Sequence, residues 1–293
     1  MKIKVKKWMK FGKVACLFSV AVLTMISYNL FAEDSRNVIS IDDILMSTES
    51  GQIKPYKLNG NEYSESLRLL KEGKPFEARE ILSHALFADI YRSRRSEIKR
   101  ILDDINQKLV FSSQPSPFSF IYTVKGGDTL AKIAKKFNTS HELIMLINEK
   151  YRSNIRIGEN LKIFKGPFDV LIDKSDFDLT VLLNGHYIKQ YRVGTGKDNK
   201  TPVGTFDIAE MLKEPVWYSG DGVFPFGHPK NILGTRWIGF KDKPGLYGYG
   251  IHGTAFPESI GKSESNGCIR LKNKDVQELY AFLTKDTKVT IRE

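Results

Sequence analysis

The spacing of apolar positions changes several times along this chain, and each change marks a different kind of element. Val14 to about Tyr28 is a short apolar run, broken by Ser19, Thr24 and Ser27. Residues 33–60 are polar without a clear period and read as a linker. Helical spacing follows: Leu67 with Leu70; Ala78, Ile81, Leu82, Ala85 and Leu86; then Ile98, Ile101, Leu102, Ile105 and Leu109. Gly73-Lys74-Pro75 breaks the first two helices, so a helical unit is drawn over 61–112. Phe111 to Phe118 carries two prolines in three residues, which oppose both helix and central strand and suggest a linker. Residues 119–165 repeat the order strand, helix, helix, strand, with Asp128 placed to cap the first helix. From 167 the period becomes two: Phe168, Val170, Ile172, then Leu179, Val181, Leu183. Asn184-Gly185 before Tyr187, Ile188 and Tyr191 signals a type I′ hairpin. A late helix is expected at about Asn273–Leu283. The fold class is therefore α+β and multidomain, with a mostly-β final domain over 167–293.

Charge changes the reading of the N-terminus. Lys2, Lys4, Lys6, Lys7, Lys10 and Lys13 precede the apolar run, and residues 1–32 hold no acid, so over half of the formal net charge of +11 lies there. A basic region, an apolar region and Leu30-Phe31-Ala32 read as a signal peptide over 1–32, or as a membrane anchor through 14–31. Either implies an extracytoplasmic protein. The remaining positive balance suits an anionic surface such as a cell wall. No arginine-rich arm or zinc spacing points to nucleic acid. Cleavage would remove Cys16 and leave Cys268 as a lone thiol, which must be paired between chains, inert or reactive.

Two regions ahead of the mostly-β domain carry resemblances. Residues 61–110 resemble a single helical hairpin of the tetratricopeptide kind, which leaves a self-packed spacer and a protein-binding surface both open. Tyr122-x-Val124-x-x-Gly127-Asp128-Thr129-Leu130, Ile133-Ala134, Asn148 and Ile157-Gly158-x-x-Leu161 resemble a lysin-motif (LysM) domain over 119–165. That resemblance implies a βααβ fold binding N-acetylglucosamine-containing glycan. Carried over, the groove consists of Gly127, Asp128, Thr129 and Leu130 facing Ile155, Arg156 and Ile157. A plainer reading keeps Leu130 and Ile157 as core and leaves sugar contacts to backbone.

The chemistry concentrates in Ile251-His252-Gly253-Thr254 and Ser265-Asn266-Gly267-Cys268-Ile269-Arg270-Leu271. His252 and Cys268 are too far apart for one helix face but suit two adjacent β segments. A cysteine nucleophile needs a base to take its proton, and the resulting imidazolium can return it to a departing amine. Gly267 lets backbone pass close to substrate, so N–H groups near Cys268 can face an oxyanion.

Together with Gly194-Thr-Gly196 and Thr201-Pro-x-Gly-x-Phe206, these segments resemble the L,D-transpeptidase catalytic domain of the YkuD kind over 167–293. The resemblance implies a β-sandwich-like fold, Cys268 as nucleophile, His252 as general base, the Gly253 carbonyl orienting the imidazole, and oxyanion N–H groups from Gly267 and Cys268. No cofactor and no metal are expected. His84, His141, His186 and His228 lie apart in sequence and show no metal-ligand spacing. The substrate would be peptidoglycan. A tetrapeptide stem would be cut between its third residue, a diamino acid, and D-Ala, and a second stem's amine would close a 3→3 cross-link. Ser265, Asn266 and Arg270 are candidates for substrate binding, Arg270 through a stem carboxylate. Asn266 stands where the family commonly has histidine, so His252 would carry the acid–base work alone. L,D-carboxypeptidase or endopeptidase action at the same site, an outer-membrane lipoprotein lysine as acceptor, and a non-catalytic wall-binding scaffold remain alternatives.

Overall fold

The computed structural model describes residues 58–164 and 168–293, which belong to one compact unit. The expected signal or anchor, Cys16 and nearly all of the 33–60 linker lie outside the described residues. Among the described residues no helix is long and apolar enough to cross a membrane.

Among the described residues three helices come first: α1 (Glu62–Lys71), α2 (Pro75–Leu86) and α3 (Arg95–Leu109), with a 3-10 segment Asp89–Arg94 before α3. Pro75 opens α2, where its missing N–H costs nothing. The next module is β1 (Ser119–Thr123), α4 (Leu130–Lys136), α5 (His141–Ile147) and β2 (Asn160–Phe164), the order expected. The cap of α4 differs from expectation. Thr129, not Asp128, accepts from the Lys132 N–H at 3.2 Å. Asp128 turns back instead to accept from the Lys125 N–H and the Tyr122 hydroxyl, both at 2.8 Å, and these donors hold its carboxyl below the usual range.

The C-terminal region contains β3 (Asp169–Asp173), β4 (Asp178–Leu183), β5 (His186–Arg192), β6 (Thr195–Gly196), β7 (Gly204–Lys213), β8 (Trp217–Ser219), β9 (Gly222–Phe224), β10 (Arg236–Phe240), β11 (Gly250–His252), β12 (Ser263–Ser265), β13 (Ile269–Arg270), α6 (Asn273–Phe282) and β14 (Lys288–Arg292). Eight strands form one sheet in the order β13-β11-β10-β7-β14-β3-β4-β5. Asn184 and Gly185 both have positive φ, 52° and 78°, as a type I′ turn between β4 and β5 requires. The sheet curls until its two ends meet. Gly194, just past edge strand β5, exchanges two backbone hydrogen bonds of 2.9 Å with Arg270 of edge strand β13. A Cβ on Gly194 would lie 2.6 Å from the Ser259 carbonyl, so only glycine fits this closure.

The helical unit packs onto the sheet as well as on itself. The outer edge of β5 is covered by α2 and α3. The Asn106 amide donates to the Tyr187 and Ile188 carbonyls at 3.0 and 2.9 Å, Arg79 donates to the Tyr187 carbonyl at 2.9 Å, and Ser83 accepts from the Tyr187 N–H. These side chains do for the edge what a ninth strand would. The face built from Arg79, Ser83 and Asn106 is therefore already occupied.

The Pro/Ser stretch is likewise docked. Phe118 stacks on Phe164 at 5.5 Å and Phe111 meets Phe282 edge-on at 6.0 Å. Leu143, Ile147 and Phe164 of the βααβ module share one core with Phe168, Phe282 and the sheet. Lys162 of β2 is fully buried and donates to the carbonyls of Leu109 and Ser112 at 2.6 and 2.9 Å. Leu109 is the last residue of α3, where a cation is favoured, and Ser112 lies in the turn just after it. Burial still pulls the Lys162 pKa down to about 8.

Candidate active site

Three strands position the chemistry. Strand β11 pairs antiparallel with β10, placing Trp237 beside His252, and parallel with β13, placing His252 beside Arg270. Ile238, Ile251 and Ile269 are buried in the core. Side chains alternate along a strand, so Trp237, His252 and Arg270 project from the opposite face. Cys268 lies two residues before Arg270 and shares that face. It precedes β13, and continuing the β11–β13 register by one residue sets it opposite Gly250, whose backbone hydrogen-bonds the thiol.

His252 is 2% exposed. Its Nδ1 lies 2.5 Å from the Gly253 carbonyl oxygen, which can only accept, so Nδ1 carries the proton and Nε2 presents its lone pair. Burial, offset by that hydrogen bond and reinforced by the nearby Arg270 charge, lowers the imidazole pKa to about 4. Burial also pushes the Cys268 thiol up, while a hydrogen bond from Gly250 and the charge of Arg270 pull the other way. The resting pair is therefore neutral, thiol and imidazole. The thiol rests 3.7 Å from the Gly248 carbonyl.

The loop before Cys268 is braced from within. Ser265 is 2% exposed; its hydroxyl donates to the Cys268 carbonyl at 2.6 Å and accepts from the Gly267 N–H at 3.0 Å. Ser265 therefore shapes the loop instead of lining a substrate surface. The Gly267 N–H expected to face an oxyanion is spent on that hydroxyl, whereas the Cys268 N–H has no acceptor among the described residues. Gly267 itself is obligatory. Its φ is +131°, and a Cβ would lie 2.5 Å from the Tyr249 ring. The Thr201 hydroxyl donates to the Gly267 carbonyl at 2.9 Å and accepts from the Gly196 N–H at 2.7 Å, which gives the Gly196 and Thr201 motifs a physical purpose. Asn266 is exposed.

Sequence reasoning missed Asn273. It accepts from the Thr235 N–H and donates to the Thr254 carbonyl, both at 3.1 Å, and clamps the segment whose Gly253 carbonyl holds His252. An asparagine opening a helix carries no sequence signal for this task. Arg270 makes no side-chain hydrogen bond or ion pair among the described residues, and its Nε is buried without a partner.

In the βααβ module the two expected glycan loops are brought together: a Cβ on Gly126 would lie 3.9 Å from Ile157 Cδ1. Leu130 is core, as the plainer reading held, but Ile157 is 78% exposed between exposed Arg156 and Gly158. The histidines expected apart include one pair that meets: His84 and His186 lie edge-on at 5.2 Å, with Glu80 2.8 Å from His186.

A buried imidazole, a thiol and a guanidinium without a side-chain partner among the described residues, gathered on one curled β-sheet, fit a cysteine acyltransferase. Residues 167–291 match the family model of the L,D-transpeptidase catalytic domain (YkuD), and residues 122–164 match that of the LysM domain. The chain is 33% identical over 177 residues to a Bacillus subtilis protein named as the L,D-transpeptidase YkuD, covering 58% of this chain and 97% of that one. It is 40% identical over 140 residues to another B. subtilis protein, named as the L,D-transpeptidase YqjB, covering 47% and 77%. The structure of L,D-transpeptidase 3 from Mycobacterium tuberculosis aligns with a TM-score of 0.37 at 16% identity, over 46% of this chain and 66% of that one. The chain belongs to the YkuD family of L,D-transpeptidases and carries a LysM domain ahead of its catalytic domain.

Proposed function

We propose that this enzyme forms 3→3 cross-links in peptidoglycan through an acyl-enzyme on Cys268. The parallel register of β11 and β13, which puts Cys268, His252 and Arg270 on one face, carries the reading. Nε2 of His252 takes the thiol proton as sulfur attacks the carbonyl of the stem's third residue. The tetrahedral oxyanion faces the Cys268 N–H. Collapse expels D-Ala, whose amine receives the proton from His252, and leaves a thioester. The side-chain amine of a second stem then attacks, loses a proton to His252 and regenerates the thiol. Gly253 fixes the imidazole tautomer, and Arg270 receives a stem carboxylate. The LysM loops around Gly127 and Ile157 hold the glycan, which raises the local concentration of stems. Such work belongs outside the cytoplasm, in keeping with the lysine-led apolar segment at the N-terminus.

The test is incubation of the chain from residue 33 onward with disaccharide-tetrapeptide. Mass spectrometry should show loss of D-Ala and a cross-linked dimer, both absent for Cys268→Ala. No product from the unmutated chain would refute the reading. Tripeptide without dimer would assign L,D-carboxypeptidase action instead. A carbapenem should add its mass to Cys268.

A further inference from the structure

The face that carries Cys268 continues across the sheet as two rows. In one row Leu212 of β7, Trp237 of β10, His252 of β11 and Arg270 of β13 stand side by side. In the next, Glu210 faces Gly239 and Gly239 faces Gly250, and continuing the β11–β13 register by one residue sets Cys268 at the far end. The glycines leave a bare track between a carboxylate and the thiol, and Trp237 fills it. A Cβ on Gly239 would lie 2.7 Å from the indole Nε1, and one on Gly250 2.9 Å from its Cη2. The indole thus lies flat across both glycines. Its outer end is fixed by Nε1–H donating to Glu210 Oε1 at 2.9 Å, and its ring sits 6.0 Å from that of His252. Glu210 is exposed and forms no ion pair among the described residues, so its second oxygen is open to a ligand.

We propose that Trp237 and Glu210 form a donor subsite that recognises the side-chain ammonium of the stem's third residue. This rests on the transpeptidase reading above. Three strand spacings separate the Cys268 and Glu210 columns, about 14 Å. A thioester on Cys268 places the amine of a straight-chain diamino acid about 7 Å beyond the acyl carbon. With the sulfur bond at one end and a hydrogen bond to carboxylate at the other, the reach is about 12 Å. The methylenes lie along the indole, and the ammonium meets Glu210. Arg270 at the thiol end and Glu210 at the other give the cleft opposite charges at its two ends, matching a stem that carries both a carboxylate and an amine.

The test is single-turnover acylation of Cys268 in the full chain, followed by intact mass. Two tetrapeptide donors are compared, one with a free side-chain amine and one with that amine acetylated. The unmutated enzyme should acylate faster from the free amine by about tenfold, the scale of one charge-assisted contact. Glu210→Gln should bring the ratio of the two donors near one, and Glu210→Lys should invert it. Unchanged unfolding midpoints would show that both variants fold. A wild-type ratio near one, or a Glu210→Gln ratio equal to that of wild type, would overturn the subsite. So would a preference confined to the later amine-transfer step, which would place the amine on the acceptor. If neither donor acylates the unmutated enzyme, the transpeptidase reading falls and the subsite with it.

Discussion

At the scale of single residues, the site rests on burial more than on charge pairing. His252 is held neutral because its pKa, about 4 instead of the ordinary 6.5, lies well below any working pH. The consequence for stability has a definite sign. The unfolded chain takes up the imidazole proton as pH falls through 6.5, and the folded chain only near 4. The contribution is therefore fully present above 6.5 and lost on acidification toward 4, about 3 kcal/mol in all. Urea unfolding at pH 7 and pH 4 should show this loss, and His252→Gln should remove that share of it. A variant as acid-sensitive as wild type would contradict the assignment. Cys268 and His252 stood out in sequence because chemistry restricts which residue types can serve as nucleophile and base. The partners of Ser265, Gly267 and Asn273 did not, since a hydroxyl or an amide shows in sequence neither its direction nor its use.

At the scale of elements, helices α2 and α3 close an edge that β5 would otherwise present to solvent. Asn106 is central to this contact. Its amide serves two β5 carbonyls, and its oxygen accepts from Arg79 Nε at 2.8 Å. Asn106→Ala should cost about 3 kcal/mol, because it strands buried polar groups on both sides. Urea unfolding measures this, and a change below about 1 kcal/mol, the scale of a tolerated surface substitution, would show that the edge does not depend on it. Periodicity together with local turn residues revealed the helices, the βααβ order and the β4–β5 hairpin, because those follow from neighbouring residues. What the helices pack against was hidden. The apolar positions of α2 and α3 read the same whether they bury against each other, a partner or a sheet edge. The 111–118 stretch holds neither helix nor strand, as its prolines require, but Phe111 and Phe118 still find aromatic partners.

At the scale of the whole molecule, the LysM domain is built into the enzyme instead of trailing from it. It shares a hydrophobic core with the catalytic sheet through Leu143, Ile147 and Phe164, and Lys162 ties it to the end of α3. Cores shared this way unfold together. Calorimetry on residues 58–293 should give one transition, and two resolved transitions would show separable domains. A fixed LysM domain would also hold the glycan at a set position relative to the cleft, so that binding and chemistry act on one strand in register. All of this depends on the thioester. The decisive measurement is the intact mass of the enzyme quenched during turnover of a tetrapeptide donor. The result expected is a tripeptide adduct on Cys268, absent in Cys268→Ala and slow to form in His252→Gln. Turnover without any adduct on Cys268, or an adduct that persists in Cys268→Ala, would contradict the mechanism.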